Sequence, residues 1–269
     1  MSGARAWTMA ALVTALAGAG PAGAGAAAGA PIQDNSFLIE EAYNQESRVV
    51  QHISTWTRFE PGGEHAFAFT EEWPLAGQRH QLSYTIPLES RSEGGSRVAG
   101  LSDVAIHYRY QWLGMGEARL AVAPRLTLVL PTGDADRSLG AGAGGVEANL
   151  PLSFELSSRL VTHTNAGLSY TGEARGAAAR RGWNLGQSLV WLALPGLNPL
   201  IELAWERSEA VGEGARDREE SLLVSPGLRW AHDFSGGLQI VPGLAVPIGI
   251  GPSRGDSAVL LYLSFEHGF

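Results

Sequence analysis

The final residues of the chain alternate strictly between two faces. Val259, Leu261, Leu263, Phe265 and Phe269 fall on one side; Ala258, Leu260, Tyr262, Ser264, Glu266 and Gly268 fall on the other. Successive side chains of a strand point to opposite faces, so one face is a continuous apolar band. In water, such a band on a terminal strand invites edge-to-edge association. It is stable where the strand closes a barrel against lipid. The constraint is severe: the rest of the chain has to supply partners on both sides of this strand.

Segments of the same kind, bounded by Gly, Pro, Asp or Asn, recur along the chain. Twelve are read, at 49–59, 65–74, 80–88, 101–113, 119–130, 146–156, 160–170, 183–194, 198–207, 219–230, 238–248 and 257–269. Most match the roughly 9–11 residues that a tilted strand needs to cross a bilayer. In the fourth, Val104, Ile106, Tyr108, Tyr110 and Trp112 oppose Asp103, Ala105, His107, Arg109 and Gln111. In the sixth, Val146, Ala148, Leu150, Leu152, Phe154 and Leu156 oppose Glu147, Asn149, Ser153 and Glu155. Leu128 and Val190 are read as lipid-facing and Asn149 as inward.

A soluble sandwich would give the same alternation, so the connections have to separate the two folds. Short ones are read at 76–78, 114–117, 157–158, 195–196 and 234–237, and long ones at 89–100, 131–145, 171–182, 208–218 and 249–256. Apart from the first hairpin they alternate, as the periplasmic turns and external loops of outer-membrane barrels do. The fold class is therefore all-β: a transmembrane antiparallel up-and-down β-barrel of about 12 strands, preceded by a short N-terminal segment. An even strand number puts both termini on the periplasmic side. Pro124, Pro151, Pro226 and Pro242 lie inside these strands, where bulges or breaks are expected because proline donates no ladder hydrogen bond.

The chain divides into residues 1–28, 29–48 and 49–269. The first part reads as a secretory signal peptide: Arg5 before an apolar run at 7–17, then small residues offering several cleavage sites. The last part is the barrel. The middle part, with Asp34, Glu40, Glu41 and Glu46, reads as a short helix capped by Asn35 or Ser36. It is either a plug that enters the barrel or an extension that merely precedes the first strand. The localisation that follows is the bacterial outer membrane.

Composition removes several classes of function. There is no cysteine, hence no disulfide framework, zinc-thiolate site or cysteine nucleophile. A net charge of −8 without a basic cluster argues against nucleic acid. His52, His80, His107 and His163 lack metal-ligand spacing, and no cofactor is implied. The remaining partners are outer-membrane lipid and lipopolysaccharide, the assembly machinery through the C-terminal strand, and a small-molecule solute. Arg91, Arg137, Arg175, Arg180, Arg181 and Arg216 in the long loops suit lipopolysaccharide phosphates, or are simply solvated.

The face opposite the apolar band collects the candidate lumen-lining residues Asp103, His107, Arg109, Arg125, Glu147, Glu155, Asn165, Glu202, Glu206 and Arg229. Asp103 and Glu206 flank external loops and are placed at the channel mouth. No catalytic residue is assigned. A hydrolase would need His163, Asn165 and Ser169 or Ser188 to converge, and nothing resembles a nucleophile elbow.

The run QDNSFLIEEAYNQE at 33–46, with VVQHI at 49–53, resembles the meta-pathway of phenol degradation family of outer-membrane proteins. GLSDV at 100–104 and LPTGD at 130–134 fit the same pattern. The resemblance implies a transporter-like barrel that passes small, hydrophobic or aromatic molecules. It implies no catalytic residue.

Overall fold

The structure is a computed structural model. It describes residues 36–269 except 94, 116–117, 175, 213–216 and 236. The signal peptide expected at 1–28, the beginning of the pre-barrel segment, Arg175 and Arg216 lie outside the described residues.

Twelve antiparallel strands form one closed sheet. They are β1 (Val49–Glu60), β2 (Glu64–Leu75), β3 (His80–Glu93), β4 (Ser96–Leu101 and Val104–Tyr110) and β5 (Leu120–Val122 and Arg125–Leu130). Next come β6 (Gly145–Ser157), β7 (Leu160–Thr171), β8 (Arg180–Trp191) and β9 (Leu197–Ala210). The sheet is completed by β10 (Arg218–Trp230), β11 (Gln239–Ala245 and Ile248–Gly249) and β12 (Ser257–Gly268). Each strand pairs with its sequence neighbours, and β1 closes the barrel on β12 from Val49↔Gly268 to Glu60↔Ser257. Closure leaves no unpaired edge, which is what allows a sheet to stand in hydrocarbon.

The apolar band faces outward over the whole circumference. Leu82, Ile106, Leu128, Leu150, Leu185, Leu203 and Leu261 are all exposed, far more apolar surface than a water-soluble monomer shows. The tryptophans mark the limits of the band. Trp73, Trp112, Trp191 and Trp230 stand near the end that carries the barrel's own termini, Val49 and Gly268, and Trp56, Trp183 and Trp205 near the opposite end. Two aromatic girdles flanking an apolar belt are the signature of a barrel in a bilayer. No helix among the described residues is long and apolar enough to cross a membrane; the strands make the crossing.

Two expectations need correction. Val190 is buried and packs inside with Val161, Leu192 and Leu200, while its neighbours Leu189 and Trp191 face out. An apolar residue at an inward position of a barrel with an apolar interior patch carries no signature in the sequence. The strict alternation of short and long connections also fails. The loop expected at 89–100 is a continuation of the ladder, paired from Leu88↔Leu101 to Glu93↔Ser96. At the other end of the barrel, Gln111 to Leu113 lie beyond the end of β4, held by Arg79 O and by the Leu113↔Val122 bridge. Alternating hydrophobicity stops where lipid stops, but hydrogen bonding of the ladder continues into water.

The prolines explain the interruptions. Ala123 donates to Pro151 O, Val246 to Pro226 O and Ser102 to Pro87 O, so each of these prolines lies opposite a break in the neighbouring strand. The proline returns no N–H across that pair, and the ladder opens there. Pro124 sits in the break of its own strand, whereas Pro242 is accommodated within a continuous one.

Leu150→Arg, near the middle of β6, is expected to cost about 2–4 kcal/mol of folding free energy in lipid. Asn149→Arg, facing inward, is expected to cost less. Urea titration of protein folded into vesicles compares the two; equal costs would contradict the orientation.

Candidate functional site

The lumen is occupied by the chain's own N-terminal segment. Ser36 to Ala42, Asn44 and Gln45 are all buried. They are not helical. The helix expected here is replaced by an extended path around the inner wall, because wall side chains take the backbone N–H groups that a helix would turn on itself. Glu202 Oε1 accepts from the N–H of Phe37, Leu38 and Ile39 at 2.9, 2.9 and 3.1 Å. Asn165 accepts from Glu40 N–H at 2.7 Å and donates back to Glu40 O at 2.6 Å. Ser153 Oγ accepts from Ala42 N–H, Gln111 from Asn44 N–H and Gln81 from Gln45 N–H. Buried backbone donors need partners, and here the barrel supplies them one by one.

The order of these contacts traces the segment. From Gln45 at β3 it passes β4, β6 and β7 and reaches β8, β9 and β10, where Ser36 Oγ donates to Ser188 Oγ at 2.7 Å and Arg229 donates to Ser36 O. Most wall partners lie in the halves of their strands nearest the termini; Asn165 is near the middle of β7, and Asn149, which donates to Glu40, is in the far half of β6. The segment thus forms a floor across that half of the barrel.

Charge and shape both fit. The Glu40 carboxylate lies 3.3 Å from Arg109 and 3.3 Å from Arg125, and accepts from Asn149 at 2.7 Å. Arg109 also donates to Asn44 Oδ1 and to the carbonyls of Glu41 and Tyr43, and lies 3.8 Å from Glu72. A buried guanidinium is tolerated because nearly every donor has an acceptor. Three wall glycines make room for the apolar side chains. A Cβ at Gly227 or Gly243 would lie 2.5 or 2.6 Å from the Phe37 ring, and one at Gly186 would lie 2.2 Å from Ile39 Cδ1. Arg229 stacks on both Phe37 and Tyr262 at 4.4 Å.

The residues read from the sequence divide into four groups. Arg109, Arg125, Asn165, Glu202 and Arg229 converge on the N-terminal segment. His107 lies in the wall between Thr85 and Thr127, at 3.0 and 2.9 Å. Glu147 and Glu206 line a pocket of about 180 Å³ beyond the segment, on the side away from the termini, with Leu38, Ile39, Asn149 and Asn184. Two are elsewhere. Asp103, expected at the mouth, lies in the break in β4, and its carboxylate accepts from Gly133 and Ala141 N–H, pinning the 131–144 loop. Glu155 is half-buried near the turn between β6 and β7. Gln111 and Ser153 are read from the sequence only as inward, Ser188 only as a possible partner of His163, and Gln81 not at all; an uncharged polar residue at an inward position is the one sequence signal that marks them.

His163 and Ser153 do meet, at 2.8 Å, but beneath Ala42, whose N–H the same hydroxyl accepts, and against the edge of Tyr43. Among the described residues, no group of three or more His, Asp or Glu side chains could hold a metal ion.

An apolar girdled exterior, a closed sheet and an internally hydrogen-bonded N-terminus define a transmembrane β-barrel of the bacterial outer-membrane class. Among solved structures the chain is similar to the COG4313 outer membrane channel from Pseudomonas putida F1, with a TM-score of 0.60 at 15% identity over 82% of this chain and 94% of that one. It is also similar to the NanC porin, with a TM-score of 0.50 at 9% identity over 81% of this chain and 100% of that one. No family model matches the sequence, and no curated protein matches it.

Glu202→Ala is expected to raise amide exchange at residues 37–39 by about tenfold or more, the scale of losing one buried hydrogen bond. Hydrogen exchange read by mass spectrometry on the detergent-purified protein checks this. Unchanged protection would show that the segment is held by something else.

Proposed function

We propose that the protein is a gated passive channel for small molecules in the outer membrane, with residues 36–45 as the gate. One observation carries this reading. Among the described residues, no backbone–backbone hydrogen bond joins the segment to the wall; side chains make the contacts. A strand built into the sheet could leave only by breaking the ladder. This segment can exchange side-chain partners for water while the barrel stays closed. The likeness to outer-membrane channels and porins supports the same reading.

The solute is small, and the resemblance to the phenol-degradation family favours an aromatic one. The interior patch formed by Phe37, Ile53, Phe59, Leu223, Leu260 and Tyr262 offers such a molecule an apolar wall. The burial of Ser153 and His163 under the segment supports a structural role for that pair and a non-enzymatic protein. On the outer face, Arg181 and Arg207 stack on Trp183 near the end away from the termini, a position suited to lipopolysaccharide phosphates. The C-terminal strand, ending in Phe269, is the segment offered to the assembly machinery.

Gly227→Val, which drives a side chain into the space of Phe37, is expected to increase flux of small aromatic solutes into proteoliposomes several-fold over wild type. Removal of residues 36–45 is expected to increase it further. If both variants assemble and flux stays at the protein-free level, the barrel is a closed structural or recognition element instead.

A further inference from the structure

The pocket beyond the gate has an unbalanced charge. Its floor is neutralised, since Glu40 is shared between Arg109 and Arg125. At its rim, Glu219 is bridged by Arg180 at 3.3 Å. Glu147 and Glu206 are different. Both line the cavity, and neither has a hydrogen-bond or ion-pair partner among the described residues. Arg125 also lines the pocket and its charge acts on Glu147, but it is shared with Glu40 at 3.3 Å; Arg207 borders the pocket with its guanidinium stacked on Trp183.

An empty cavity with two unpaired carboxylates on its wall and two apolar side chains on its floor has a defined complement. We infer that the pocket binds a small organic cation, a primary ammonium on an apolar or aromatic body. The ammonium sits between Glu147 and Glu206, and the body rests on Leu38 and Ile39. An ammonium carries three donors and no acceptor, so two carboxylates and the Asn184 amide oxygen can satisfy it. Surrounding hydrocarbon strengthens the attraction, because charge of one sign in a low-dielectric cleft concentrates the opposite ion. The same field repels carboxylate solutes. Leu38 and Ile39 belong to the gate, so a bound molecule touches the element that must move for passage. The inference names the solute class for the channel proposed above and rests on that reading for its biological role, but binding is measured apart from transport.

The test uses three molecules of nearly the same shape: benzylamine, benzyl alcohol and benzoate. Equilibrium dialysis against the purified, detergent-folded protein is expected to give the order amine, alcohol, benzoate. The amine should lead by about tenfold or more, the scale of one charge-assisted hydrogen bond. E147Q combined with E206Q is expected to collapse the ratio of amine to alcohol affinity towards one; heat-modifiable gel migration confirms that the variant is folded. Equal binding of the three, tightest binding of benzoate, no binding of the amine, or a ratio unchanged in the double variant would each overturn the site. Amine binding without flux into proteoliposomes would leave the site standing and remove the channel; flux without amine preference would do the reverse.

Discussion

Everything in this structure follows from the need to give each backbone polar group a partner where water is absent. Outside, hydrocarbon forbids an open edge, so twelve strands close on themselves through the β1–β12 pair. Inside, an occupying segment meets the same demand without a ladder. Its N–H groups are met by Glu202, Asn165, Ser153 and Gln81, each projecting from a different strand, and by Gln111 just beyond β4. The polar lumen is therefore less a water-filled surface than a set of acceptors placed for one peptide.

The lumen has two characters. The walls of β2 to β7 bring Glu72, Arg109, Arg125, Asn149 and Asn165 around the segment, whereas β10, β12 and β1 present Leu223, Leu260, Tyr262, Ile53 and Phe59. The segment matches this division. Glu40 to Gln45 carries the polar groups and faces the first wall, while Phe37 to Ile39 carries the apolar ones and reaches towards the second. Fully burying each of these apolar side chains is worth about 1.5–3 kcal/mol, enough to hold a short peptide but not to make it permanent. Arg48 marks the joint. It adopts a positive φ of 69°, and its backbone carbonyl and Nε hold the backbone of Phe269, so the segment departs from a point tied to the end of the chain.

Much of the barrel is legible in the sequence, because the pattern repeats every second residue and lipid rewards it on every strand. All twelve strands lie where the alternation puts them. Their ends do not, since Glu89 to Glu93 and Ser96 to Gly100 pair in water, where no side-chain pattern is required. The path of residues 36–45 is illegible for a different reason. Phe37 and Glu202 are 165 residues apart, and Gly186, Gly227 and Gly243 look like ordinary strand glycines until Ile39 and Phe37 are set against them. Five of the inward residues named from parity alone do touch the segment. Parity gives direction, but not height along the barrel, so Glu155 lies near a turn; Asp103 lies at the end of the barrel where it is expected, but holds the 131–144 loop.

A chain without native cysteine allows one direct test of the occupied lumen. Ser36 and Ser188 stand with their hydroxyls 2.7 Å apart, so cysteines at both positions should form a disulfide during oxidative folding. The oxidised protein should pass no more solute than wild type, and reduction should restore the wild-type rate. Failure of the pair to cross-link in folded protein, or solute flux through the locked form above the wild-type rate, would contradict the account.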